Sequence, residues 1–204
     1  MREFTLVSGT GRSGTSVLMV LLEKLGFDVH FRDKYWNAPI NAGYEFTEIH
    51  PDTDEFELKR TVSIAPNIIK DPRLCFTLDR LLKMKLFKVK LLIIPVREQK
   101  QCALSRVKNE IQWTGEDLDQ GSKEELCLSE KGADQITFNQ KCLASLTTTA
   151  VLHDIPILHL AFPRFVQDPV YLFKKLENTH LEVEWSMFMN AFRQVVQKDK
   201  VHKY

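Results

Sequence analysis

Several ordinary signatures are missing from this chain, and each absence removes a class of explanation. No apolar run reaches the roughly 18 residues that a membrane-spanning helix needs, so no membrane span is expected. Cys75, Cys102, Cys127 and Cys142 are scattered and form no C-x-x-C pair, which predicts reduced, buried thiols in a cytoplasmic protein. Charge of one sign is also lacking. Lys and Arg total 28 against 27 Asp and Glu, a formal net charge of +1, so no basic surface for nucleic acid is expected and any anion site must be local. The N-terminus enters "REFTLVSG" directly, and the apolar stretch at 17–22 carries no cleavage-site pattern, so no signal peptide is expected. Internal repeats, low-complexity tracts and linkers are absent too. A single α/β domain over 1–204 is the economical expectation.

What is present reads as alternating strands and helices. Residues 3–8 predict a short buried strand, and 14–25 a helix with Val17, Leu18, Leu21, Leu22 and Leu25 at helical spacing and Gly26 as terminator. "FDVHF" (27–31) predicts a second short strand, and residues 32–66 read as a long loop suited to carry function. Further strands are expected at 67–71, 89–96 and 155–162. Helices are expected at 73–87, 98–112, 132–152, 169–178 and 185–197, with an insertion at 113–130. "VKLLIIPV" (89–96) is apolar on both faces, as a central parallel strand should be. The alternation predicts an α/β fold with a central parallel β-sheet covered by helices on both sides.

The stretch between the first strand and first helix, "SGTGRSGTS" (8–16), is the strongest local signal. Gly9, Gly11 and Gly14 allow a tight turn and close approach of an anion. The unbonded N–H groups of the helix start would point at it. Arg12 adds a forked cation, and Ser13, Thr15 and Ser16 add hydroxyl donors. A plain helix cap would explain fewer donors than these. An ATP-binding loop reads G-x-x-x-x-G-K-[ST]; here Gly9, Gly14 and Ser16 fit, but Thr15 stands where the phosphate-binding lysine belongs. A second stretch, "VREQKQCALS", runs from the clearest strand into the next helix. Its Arg97 and Ser105 stand eight apart and can face one oxyanion.

"RSGTS" resembles the K/R-S-G-T-[ST] loop of sulfotransferases, which cradles the 5′-phosphosulfate of 3′-phosphoadenosine 5′-phosphosulfate (PAPS). Arg97 and Ser105 match the Arg-x₇-Ser pair with which that family holds the 3′-phosphate. "IIKDPRLC" is similar to a K-D-P-R segment of bacterial members, and "ILHLAFPRFVQDPVYLFKKL" to their late strand and helix. The resemblance spans roughly residues 4–178. It implies a three-layer P-loop NTPase-like fold with a central parallel β-sheet flanked by helices, PAPS as cosubstrate, no metal, and a small-molecule or saccharide acceptor. It also implies nucleotide contacts from Gly11, Arg12, Ser13, Gly14, Thr15, Ser16, Arg97 and Ser105.

Sulfuryl transfer needs cationic stabilisation of the leaving oxygen and a base for the acceptor proton. Arg12 and Lys70 are the candidates for the first role. Pro72 stands where cytosolic members carry their basic histidine. The base is therefore sought in Glu45, whose surroundings "NAGYEF" resemble an N-x-x-G-Y-x-E segment of bacterial members, then in Asp71, which can instead orient Arg73, and then in His50. Tyr35, Trp36, Tyr44 and Phe46 can line an acceptor pocket or pack the loop. His153 and His159 lack metal-ligand spacing and read as structural. Two other readings compete: a small-molecule kinase using ATP and Mg²⁺, and a non-catalytic nucleotide-binding module.

Overall fold

The computed structural model describes residues 1–29, 54–108 and 132–196. Four strands, β1 (Glu3–Val7), β2 (Ile68–Lys70), β3 (Lys88–Val96) and β4 (Ile157–Ala161), form one sheet in the order β2-β1-β3-β4. All three pairings are parallel. Thr5, Leu6 and Val7 face Ile68, Ile69 and Lys70 on one side of β1, and Leu91, Leu92 and Ile93 on the other.

The two-residue period of the strands divides the core into two layers. Phe4, Leu6, Leu92 and Ile94 point to one face, where they meet α2 (Glu55–Ile64), α3 (Leu74–Lys83) and α5 (Gly132–Leu152). Val7, Leu91, Ile93 and Leu160 point to the other, against α1 (Thr15–Lys24), α6 (Arg164–Gln167), α7 (Pro169–Leu176) and α8 (Trp185–Val195). The remaining helix, α4 (Gln99–Lys108), packs on α5. Helices on both faces of a parallel sheet give the expected α/β three-layer architecture.

The central strand and the helices at 15–24, 74–83, 99–108, 132–152, 169–176 and 185–195 agree with the sequence pattern, with ends moved by a few residues. Two expectations fail. Residues 55–64 are a helix, not the tail of a loop: Asp54 caps it by accepting from the Glu57 N–H at 2.9 Å, and Leu58, Thr61 and Val62 turn inward. Its acidic first turn and otherwise polar surface mask that short inward stripe in the sequence. Residues 27–29 form no strand; Phe27 N–H instead bonds back to Leu22 O. Residues 30 and 31 of that expected strand, and 113–130, lie outside the described residues.

The end of α2 is held from far away in sequence. Arg2 donates from Nη1 to Val62 O and Ser63 O, both at 2.8 Å, and from Nη2 to Ala65 O at 2.6 Å. Those carbonyls are the orphans every helix end leaves. Cys75, Cys102 and Cys142 are free and buried, and Cys127 lies outside the described residues. Among the described residues, no helix is long and apolar enough to cross a membrane.

α1 packs on one face of the sheet and α4 joins α5 on the other, so the chain diverges between the carboxyl ends of the neighbouring strands β1 and β3. Open α/β sheets take their ligands at such a divide.

Candidate anion-binding site

The β1–α1 turn is built around positive backbone angles. Gly11 has φ 67° and Gly14 φ 83°, and Arg12, with a side chain, is held at φ 55°. An added Cβ on Gly14 would stand 2.6 Å from Phe162 and 2.8 Å from Phe165, so glycine is required there by space as well as by angle. The first turn of α1 has no side-chain cap and no acidic residue. By contrast Asp54 caps α2 and Asp168 caps α7, the latter accepting from Tyr171 N–H at 2.9 Å. Ser13 Oγ is buried without a hydrogen-bond partner among the described residues. A buried hydroxyl left so costs about 1–3 kcal/mol. That orphan, within a turn of N–H donors and next to a cation, marks a loop shaped for an anion.

Contacts join the β1–α1 turn to the segment that follows β3. Arg12 Nε donates to Ser105 Oγ at 3.0 Å, and Arg97 Nη1 donates to Arg12 O at 3.1 Å. Thr10 Oγ1 lies 3.8 Å from Cys102 Sγ. Arg97 is only 5% exposed. Gln101 Oε1 accepts from its Nε and Nη2, each at 3.3 Å, and its Cζ lies 5.1 Å from the centre of the Phe162 ring. Glu98 does other work, accepting from the N–H groups of Lys100 and Gln101 at the start of α4. The two stretches singled out by sequence, 9–16 and 97–105, therefore form one cluster.

At the end of β2, Lys70 is 5% exposed and its Nζ donates to Ser16 Oγ at 3.4 Å, which brings it to the same turn. Ser8 Oγ donates to Asp71 O at 2.8 Å and ties the two strand ends together. The Asp71 carboxylate, 3% exposed, accepts from Arg73 N–H at 2.8 Å, Arg73 Nε at 3.2 Å and Arg73 Nη2 at 3.0 Å. That bidentate pair matches the orienting role weighed for Asp71 and occupies the lone pairs a base would use. His153 bonds Asp79 at 3.0 Å on α3, and this contact, with the stronger one from Lys83, lowers the Asp79 carboxyl below its usual range.

Glu45 and His50, with Tyr35, Trp36, Tyr44 and Phe46, lie outside the described residues. Sequence reasoning missed the bracing Gln101, which stands in the first turn of α4 just after Arg97. It also missed Gln135 and Asn139 on α5, which carry buried side-chain atoms without partners among the described residues. Among the described residues no group of three or more His, Cys, Asp or Glu side chains is placed to hold a metal ion.

No protein family and no curated protein matches the sequence. Solved structures do. Sulfotransferase STF9 from Mycobacterium avium superposes with a TM-score of 0.55 at 14% identity, over 95% of this chain and 67% of that one. The sulfotransferase domain of the Synechococcus PCC 7002 olefin synthase gives 0.49 at 12% identity, over 99% and 83%. The chain has a sulfotransferase-like fold.

Proposed function

We propose that this chain, as one domain over 1–204, is a cytoplasmic sulfotransferase that moves a sulfuryl group from PAPS to a hydroxyl or amine of a small-molecule or saccharide acceptor. The observation that carries the reading is the partnerless, buried Ser13 hydroxyl in a turn shared by Arg12, Lys70 and, through the Arg12 carbonyl, Arg97. Three cations gathered at one edge of a chain with a formal net charge of +1 suit a ligand with negative charge at both ends. The sulfotransferase-like fold supports the same reading.

In this scheme Gly11, Ser13, Gly14, Thr15 and Ser16 hold the 5′-phosphosulfate, and Arg97 and Ser105 hold the 3′-phosphate. The acceptor oxygen forms a bond to sulfur as the bond from sulfur to the 5′-phosphate oxygen breaks. The acceptor proton passes to a base, for which Glu45 is our candidate, and 3′-phosphoadenosine 5′-phosphate (PAP) departs. Arg12, Lys70 and the N–H groups of the α1 start stabilise the charge growing on the leaving oxygen, a contribution of about 10²–10³ in rate for one such donor. Asp71 acts one step back, fixing the Arg73 guanidinium.

Thermal-shift titration tests the reading against a kinase. Stabilisation by PAP without magnesium is expected. A response confined to ATP with magnesium overturns it. Transfer of labelled sulfate from PAPS, abolished in Glu45→Gln, separates an enzyme from a binding module.

A further inference from the structure

Helix α5 lays Phe138, Cys142, Leu146 and Ala150 into the core, one residue every fourth position. The same inward side carries Gln135 and Asn139, one turn apart, and both are fully buried. Their side-chain polar atoms, Nε2 and Oε1 of Gln135 and Nδ2 and Oδ1 of Asn139, have no hydrogen-bond partner among the described residues. Each such group destabilises a folded chain, because its hydration is lost and nothing replaces it. Leucine at both positions would continue the apolar stripe at no such cost, so the amides point to a partner of their own.

Their height in the fold says where that partner sits. The last turn of α5 leads into the start of β4, with Ile155 N–H bonded to Ala150 O. Counting back from Ala150 to Gln135 covers about 22 Å of helix axis at 1.5 Å per residue. This matches the rise of roughly 20 Å from Ile155 to the carboxyl end of β4. Phe138 meets Phe76 with ring centres 5.7 Å apart, and Ser145 Oγ donates to Cys75 O at 2.6 Å, just after the Asp71–Arg73 pair. Gln135 and Asn139 thus stand at the carboxyl edge of the sheet, on the α3–α4 side of it. The other buried side-chain atoms without a partner among the described residues, Ser13 Oγ and Gln99 Oε1, belong to the segments that follow β1 and β3 at that same edge.

We propose that Gln135 and Asn139 recognise the acceptor, and that the acceptor is a neutral polyhydroxyl compound of the saccharide class. A carboxamide offers a donor and an acceptor together, which matches a hydroxyl that is also both. A phenol would be held by an apolar wall, and an anionic acceptor by a cation. The assignment rests on the sulfotransferase reading. Sulfur passes from the 5′-phosphate oxygen to one sugar oxygen, whose proton goes to the base, while the amides hold neighbouring hydroxyls.

The experiment uses the full chain with labelled PAPS and, as probes, glucose, N-acetylglucosamine, trehalose and the phenol 2-naphthol. Transfer to at least one sugar is expected. Gln135→Leu and Asn139→Leu should each raise the KM for that sugar about three- to tenfold, as the loss of a neutral hydrogen bond predicts. PAP affinity and kcat should stay close to those of the unaltered chain, and the melting temperature should hold or rise, since buried amides without partners are replaced by apolar side chains. A preference for 2-naphthol overturns the acceptor class. An unchanged sugar KM in both variants overturns the residue assignment and leaves the amides to internal water. If a leucine variant does not fold, Gln135→Ala and Asn139→Ala supply the same KM comparison. PAP binding without transfer to any sugar defeats this proposal alone, whereas no PAP binding defeats the sulfotransferase reading beneath it.

Discussion

The β1–α1 and β2–α3 turns lie side by side at one sheet edge and treat their polar groups in opposite ways. Between β2 and α3, the buried Asp71 carboxylate accepts three hydrogen bonds from a single residue, Arg73. Between β1 and α1, Ser13 Oγ is buried with no partner among the described residues, and the helix start has no side-chain cap. Buried polar groups are nearly always paired in native structures. The saturated turn is scaffold, and the unsaturated one keeps polar groups that the proposed nucleotide would satisfy.

The sharpest way to break this contrast is to remove the scaffold's carboxylate. Asp71→Ala leaves the Arg73 guanidinium without its buried partner and should cost about 3–5 kcal/mol in denaturant unfolding; a loss under about 1 kcal/mol would show that the pair is not structural. Next in size is Gly14→Ala, which places a methyl against Phe162 and Phe165 at a left-handed angle. About 2–4 kcal/mol of stability should be lost, read by the same unfolding curve. Arg97→Ala should weaken PAP about ten- to hundredfold by calorimetry, since a charge-assisted contact is removed. Ser13→Ala sharpens the comparison most directly: stability should hold or rise, by up to about 1–3 kcal/mol, because a buried hydroxyl without a partner is removed, while PAP affinity falls about three- to tenfold. A stability loss as large as that of Asp71→Ala would erase the distinction between the two turns.

The smallest expected effect lies in a second scaffold pair. His180 bonds Thr5 Oγ1 at 2.6 Å, and burial, with a smaller contribution from Lys90, pushes its pKa below the ordinary 6.5. The unfolded chain then binds more protons near that pH, so stability rises with pH. It is fully present above about pH 6.5 and falls as the solution is acidified through the folded-state pKa. His180→Gln should flatten that slope in melting curves recorded between about pH 7.5 and 5.

The strand–turn–helix around Gly9 and Gly14 was legible because its signals are local: an apolar run, glycines, then a helical period. Arg97 and Ser105 were legible through their spacing, since a strand end and two helical turns fix where both side chains emerge. What was hidden is tertiary. No pattern announces that Arg12 bonds Ser105, 93 residues on. The same holds for the buried amides of α5, whose lack of partners exists only once neighbouring elements are in place. Helix α2 was missed for a different reason: its polar surface dominates its composition, and only the Asp54 cap and three inward residues mark it.

The clamp from Arg2 to the end of α2 has a practical side. Three carbonyls of that helix end depend on one side chain just before β1, so a cut that separates Arg2 from β1 would loosen a helix it never touches. Amide exchange would report the damage around Thr61–Ala65, far along the sequence from the cut. Handles for purification or labelling are safer where they leave Arg2 in its place.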